Sequence, residues 1–225
     1  MRDVTMGLQP GTVMGLVGPN GAGKTTLLNI LAGIFPPDSG WVWLEDAWVD
    51  FDRNPERRRL LGLMLGGRAL VEELRTGEYL DFVTAMHGVR LEDVRPTLDH
   101  LIRQLRLEAH MDKAIKALSA GTRKKVEFIA AVLHQPRVLL LDEPFEAIDP
   151  PAVHELTEVI RQYIAETGAA AIISSHILPY VRPLATEVRL LWRGSLYERD
   201  ELERLIGEQE DDGELQTWRI VLEGE

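Results

Sequence analysis

The chain contains no cysteine, so disulfides and thiolate metal sites are both excluded, and a reducing cytosol is its natural compartment. No apolar run approaches the roughly 18 residues that a membrane-spanning helix needs, since FIAAVL (128–133) and VLLL (138–141) are too short. Arg2 and Asp3 lead into mixed sequence without the apolar core of a secretory leader. Basic residues are also in deficit: 25 Lys and Arg face 36 Asp and Glu, a formal net charge of -11. At long range that charge repels nucleic acid and anionic lipid, so no direct nucleic-acid partner is expected and any membrane role requires another protein. What remains is ordinary globular material, 45% hydrophobic and 27% charged, in a 225-residue chain long enough for a substantial core.

Apolar, β-branched stretches alternate with amphipathic ones. TVMGLV (12–17), LGLML (61–65), RVLLLD (137–142), AAAIISS (169–175) and EVRLLW (187–192) read as strands, several apolar throughout and so buried on both faces. Helical patterns fall at 24–34, 77–87, 96–106, 122–134 and 151–166, which predicts an α/β fold with a mostly parallel sheet covered by helices. The alternation breaks between Arg68 and Gln135, where the pattern is almost wholly helical. The expected organisation is one α/β core (1–67 and 136–225) carrying an inserted helical subdomain (68–135). Past Arg193, GSLYERDEL reads as a turn and a short helix, and EQEDDGE (208–214) as a solvated loop.

Gly18-Pro19-Asn20-Gly21-Ala22-Gly23-Lys24-Thr25 matches GxxxxGK[ST], with Thr26 following, after a predicted strand and at the opening of a predicted helix. Glycines let the backbone N–H groups close on phosphate oxygens, and the helix start adds its positive dipole end. Lys24 then reaches the β- and γ-phosphates and the Thr25 hydroxyl binds Mg²⁺, so ATP and Mg²⁺ are the expected ligands. VLLLDEP (138–144) is a buried strand ending in two carboxylates, where Asp142 can hold Mg²⁺ and Glu143 can face an attacking water as general base. The first pattern predicts binding and the second hydrolysis.

Leu118-Ser119-Ala120-Gly121-Thr122 lies upstream of these acids at the start of a predicted helix and resembles the LSGGQ signature of ATP-binding cassette (ABC) ATPases. With Ala147-Ile148-Asp149 and His176 following, the chain resembles that family in the order of P-loop, signature, acidic strand, D-loop and switch histidine. The resemblance implies a P-loop NTPase core and two cassettes paired head to tail, homo- or heterodimeric, with each ATP between the P-loop of one and the signature of the other. It further implies that Ser119 and Gly121 contact the opposite subunit's γ-phosphate, that Asp149 touches the partner, and that His176 holds the γ-phosphate and water. SSHILPYVRPLATEVRLLWRGSL (174–196) is similar to the closing segment, with its final hairpin, of bacterial exporter cassettes. That resemblance implies an integral membrane permease as partner, a place on the inner face of the membrane, and a docking surface from Arg68 to Phe82.

Three departures stand out. Gly66 and Gly67 occupy the place of the family's Mg²⁺-sensing glutamine, and Ala120 and Thr122 stand where its signature has Gly and Gln. No aromatic residue precedes Phe35, which leaves adenine stacking unassigned, a start upstream of Met1 being one way to supply it. The alternatives are a non-transport cassette working on DNA, ribosomes or cofactor assembly, and a weakly hydrolysing nucleotide-dependent regulator.

Overall fold

The computed structural model describes residue 1 and residues 4–66, 70–198 and 201. β1 (Val13–Val17) leads through the glycine loop into α1 (Lys24–Leu31), and β2 (Val42–Leu44) and β3 (Ala47–Val49) form an antiparallel hairpin. After β4 (Leu61–Met64) come three helices, α2 (Thr76–Met86), α3 (Leu91–Gln104) and α4 (Ala120–Val132). The chain then alternates again through β5 (Val138–Asp142), α5 (Pro150–Thr167), β6 (Ala170–Ser175) and α6 (Leu178–Val181), and closes with β7 (Glu187–Trp192) and β8 (Ser195–Tyr197). The main sheet runs β4-β5-β6-β1-β7-β8 and is parallel except for β8, which returns antiparallel to β7.

Strand periodicity explains the layers. Leu139, Leu141, Ala171 and Ile173 point to one face, where they join Leu80, Leu101, Phe128 and Ile160 of the helices in a single continuous core. Their neighbours Leu140 and Ile172 point the other way and pack with Met14, Leu16 and the α1 residues Leu27 and Leu28. Both faces of the sheet are thus covered, which is why the central strands read as apolar throughout. The helices between β4 and β5 have no separate core, because α4 packs directly on β4 and its Val126–Val132 stretch is buried.

The five strands and five helices read from sequence all occur, with shifted ends. α3 begins at Leu91, five residues before Pro96, which lies inside the helix. The proline removes one N–H, the one aimed at Glu92, and Glu92 is exposed, so water satisfies the orphaned carbonyl. The β2–β3 hairpin was not read, since its three-residue strands turn Trp43 and Trp48 outward and so lack apolar alternation. Past the turn at 193–194, Ser195–Tyr197 forms β8. The helix expected after it, the acidic stretch 208–214, and Gly67, Arg68 and Ala69 lie outside the described residues, apart from residues 198 and 201.

Candidate functional site

The loop after β1 opens at the carboxyl end of the sheet, between β6 and β7, where Val17 is in register with Ser175. Gly18 has φ 156, and a Cβ there would meet the Leu191 carbonyl oxygen at 2.4 Å, so only glycine fits. Gly23 takes φ 105 as the N-cap of α1 and offers no side chain to its orphan N–H groups. An uncapped helix start behind a glycine loop is a cradle shaped for an anion. Lys24 is only 6% exposed, and its ammonium donates to the Gly18 oxygen at 2.8 Å and the Pro19 oxygen at 3.2 Å. The same Nζ stands 3.4 Å from Glu143 Oε1.

β5 delivers the acids. Asp142, its last residue, lies in register with Ser174 of β6. The Thr25 hydroxyl donates to Asp142 Oδ2 at 2.7 Å and the Ser174 hydroxyl to Asp142 Oδ1 at 2.5 Å. Ser174 Oγ also accepts from the Glu143 N–H at 2.9 Å, so one fully buried hydroxyl fixes both acids. Glu143 then leaves the strand with φ 45, a left-handed conformation that costs a non-glycine residue of order 1 kcal/mol or more. That turn aims its carboxylate between Lys24 and His176. His176 Nδ1 lies 3.1 Å from Glu143 Oε2 without the alignment of a hydrogen bond, and the His176 N–H donates to the same oxygen at 3.4 Å. P-loop, both acids and histidine therefore meet at one point.

The signature residues are elsewhere. Leu118 is buried, while Ser119 caps α4, its Oγ accepting from the Thr122 N–H at 3.2 Å and lying 2.8 Å from the Thr122 hydroxyl. Ala120 and Gly121 become the first two residues of the helix, two earlier than the sequence pattern suggested. With Asp149, which caps α5 by accepting from the Ala152 N–H at 2.9 Å, they line an open groove of about 430 Å³. The structure thus forms two surfaces, a cluster of P-loop, carboxylates and histidine, and a separate signature groove. Thr25 and Asp142 offer two hard oxygens at the helix start, a donor set suited to Mg²⁺ completed by phosphate and water.

The ABC transporter family model matches residues 1–146. The chain belongs to the ABC transporter family. It is 31% identical to the ABC transporter ATP-binding protein MJ1023 of Methanocaldococcus jannaschii over 86% of its own length and 69% of that protein's. The structure of an ATP-binding subunit of an ABC transporter superposes with a TM-score of 0.80 at 29% identity, covering 91% of this chain and 86% of that one. The dimeric structure of the bacterial ABC transporter cassette MJ0796 shares the fold, with a TM-score of 0.77 at 20% identity over 86% of this chain and 88% of that one. Some curated relatives are far longer, and this cassette spans 12% of their length.

Two residues of the cassette's site escaped the sequence reading. Ser174 sits in an apolar strand where a small hydroxyl looks like filler, and the adjacent Ser175-His176 was the only cue. Lys124 follows the signature in the basic run Arg123-Lys124-Lys125, yet its ammonium donates to the Glu143 carbonyl at 3.0 Å. At the position of the family's glutamine, Gly66 is exposed with φ 75.

Proposed function

We propose that this cassette is the ATP-hydrolysing subunit of a transporter whose membrane-spanning part is a separate protein, and that two cassettes pair head to tail around ATP. The observation that carries the reading is the division of the site: the hydrolytic cluster is assembled within one chain, while Ser119–Thr122 lines a separate groove that includes no P-loop residue. One chain is then half of each site. The dimeric cassette with the same fold supports this pairing.

Within the site, the N–H groups of the glycine loop and the α1 start bind phosphate oxygens, and Lys24 exchanges its two loop carbonyls for them. Thr25 and Asp142 would hold Mg²⁺, which neutralises phosphate charge when bound. Glu143 takes the proton of the attacking water on its carboxylate, and His176 orients that carboxylate and the water. Ser119 and the first N–H groups of α4 serve the opposite subunit's phosphate, and Asp149 lies at the junction. Residues 1–67 and 136–225 act as the nucleotide-binding core, and 68–135 as a helical arm bearing the signature.

Within the Arg68–Phe82 stretch proposed to receive a short helix of the permease, Val71 and Phe82 are 40% and 44% exposed, and Met86, one turn beyond Phe82 on α2, is 70% exposed. On this reading the chain sits on the inner face of the membrane, held there by its partner. The test is light scattering of Glu143→Gln with and without Mg-ATP: pairing predicts that mass doubles only with ATP, and a monomer at saturating ATP refutes it.

A further inference from the structure

Glu143 holds a left-handed backbone at φ 45, and four hydrogen bonds fix it there. Its N–H donates to Ser174 Oγ at 2.9 Å, and its carbonyl accepts from the Glu146 N–H at 3.2 Å. A third, the His176 N–H, reaches its carboxylate at 3.4 Å. The fourth comes from outside the cluster. Lys124, on the second turn of α4, donates its ammonium to the Glu143 carbonyl at 3.0 Å.

The Lys124 ammonium is bonded to a main-chain carbonyl, as that of Lys24 is, and the position of that carbonyl gives the bond consequence. α4 begins at the signature, so Lys124 stands about one turn from the residues that face the other cassette. The same helix start also touches the far end of the loop that Glu143 opens: a Cβ on Gly121 would lie 3.5 Å from Ile148 and 3.6 Å from Ala152. The segment from Glu143 to Ile148 is therefore bonded at one end to Lys124 and lies beside Gly121 at the other, so a shift of α4 would be felt at Glu143.

We propose that Lys124 is a positioning residue that ties the signature surface to Glu143 of the same chain. This rests on the head-to-tail pairing proposed above, in which the signature of one chain meets the nucleotide of the other. Engagement of one nucleotide then sets the aim of the base at the second, and the two sites fire cooperatively. The ammonium does this through a charge-assisted bond that a neutral side chain of similar length cannot make.

The experiment compares the full chain with Lys124→Met and Lys124→Arg. Nucleotide affinity is read with trinitrophenyl-ATP, ATP-dependent pairing by light scattering in the Glu143→Gln background, and hydrolysis against ATP concentration. Lys124→Met should bind and pair as the wild type does and melt at a similar temperature. Its kcat should fall about tenfold with KM unchanged, and its Hill coefficient should fall from above 1 to near 1. Lys124→Arg, which keeps a cation at reach, should recover most of the loss. Wild-type kcat and cooperativity in Lys124→Met would overturn the proposal, as would a loss of binding or folding in both variants, which marks a purely structural residue. A Glu143→Gln chain with Lys124 intact that fails to pair with ATP would instead bring down the pairing reading, whatever the Lys124 variants do.

Discussion

The Thr25 hydroxyl donates a 2.7 Å hydrogen bond to Asp142 Oδ2, joining the start of the first helix to the end of a strand 117 residues away. Two elements that each look generic, a helix after a glycine loop and a strand ending in acids, become one site through that bond. Asp142 is 6% exposed, and Ser174 takes its other oxygen, so the carboxylate is held on both sides.

Glu143→Gln keeps the shape of the side chain and removes the base. Turnover should fall by about 10² or more, roughly 3 kcal/mol of barrier, while ATP affinity stays within a few-fold. Lys24→Ala should instead lose binding, because the ammonium is what meets the phosphates. Isothermal titration beside an ATPase assay separates the two; full turnover in Glu143→Gln would remove Glu143 from its role.

Ser174→Ala tests the buried hydroxyl that serves both acids. It strips a donor from Asp142 and an acceptor from the Glu143 N–H, at a cost of about 1–3 kcal/mol in unfolding free energy. Urea melts measure the cost, and kcat should fall more than nucleotide affinity as the acids lose their aim. Wild-type stability would mean that the hydroxyl is not needed.

Much of this was legible in the chain. β1, β5 and β6 are central and covered on both faces, so their composition is unambiguous, and the glycine loop carries its own geometry. What could not be read depends on distance in sequence. Ser174 matters because parallel pairing sets it beside Asp142. Lys124 matters because α4 lies against the turn after β5, 19 residues on. The Pro96 signal misled because proline is commonest at helix starts, whereas here it sits in the second turn with its missing bond exposed to water.

His87 and His134 stack with ring centroids 3.7 Å apart, pinning the end of α2 to the end of α4. His134 Nε2 lies 2.9 Å from the Leu61 carbonyl, which sets the first residue of β4, while its Nδ1 is buried without a partner. Burial, then His87, push the His134 imidazole down to about 4, and burial, then Arg59, lower His87. The unfolded chain takes up these protons near pH 6.5 and the folded chain resists them, so stability is full above that pH and declines as pH falls toward 4. The His134 share is on the order of 2 kcal/mol. Urea melts at pH 7.5 and pH 5 should show the decline, and His134→Asn should flatten it; equal slopes for the two proteins would assign the pH dependence elsewhere.

Glu72 pairs with Arg123 at 3.0 Å and Glu73 with Lys116 at 2.5 Å, while the Glu72 and Leu74 carbonyls accept from the Lys116 and Ile115 N–H groups. The loop proposed to meet the permease is thus tied to the approach to the signature. Glu72 is exposed and Arg123 half-buried, so Glu72→Lys should cost on the order of 1 kcal/mol of stability. It should leave ATP binding intact and uncouple transport in cells carrying the permease, and Arg123→Glu should restore part of the loss. Unchanged transport in Glu72→Lys would count against this docking face.

The central claim is that one chain is half of each ATP site, and the most direct measurement is the steady-state Mg-ATPase rate of the purified chain against protein concentration, with Glu143→Gln alongside. Pairing predicts a specific activity that rises with concentration and saturates, and a variant that is inactive at every concentration. A specific activity independent of concentration, from a chain that stays monomeric while it hydrolyses ATP, would contradict the claim.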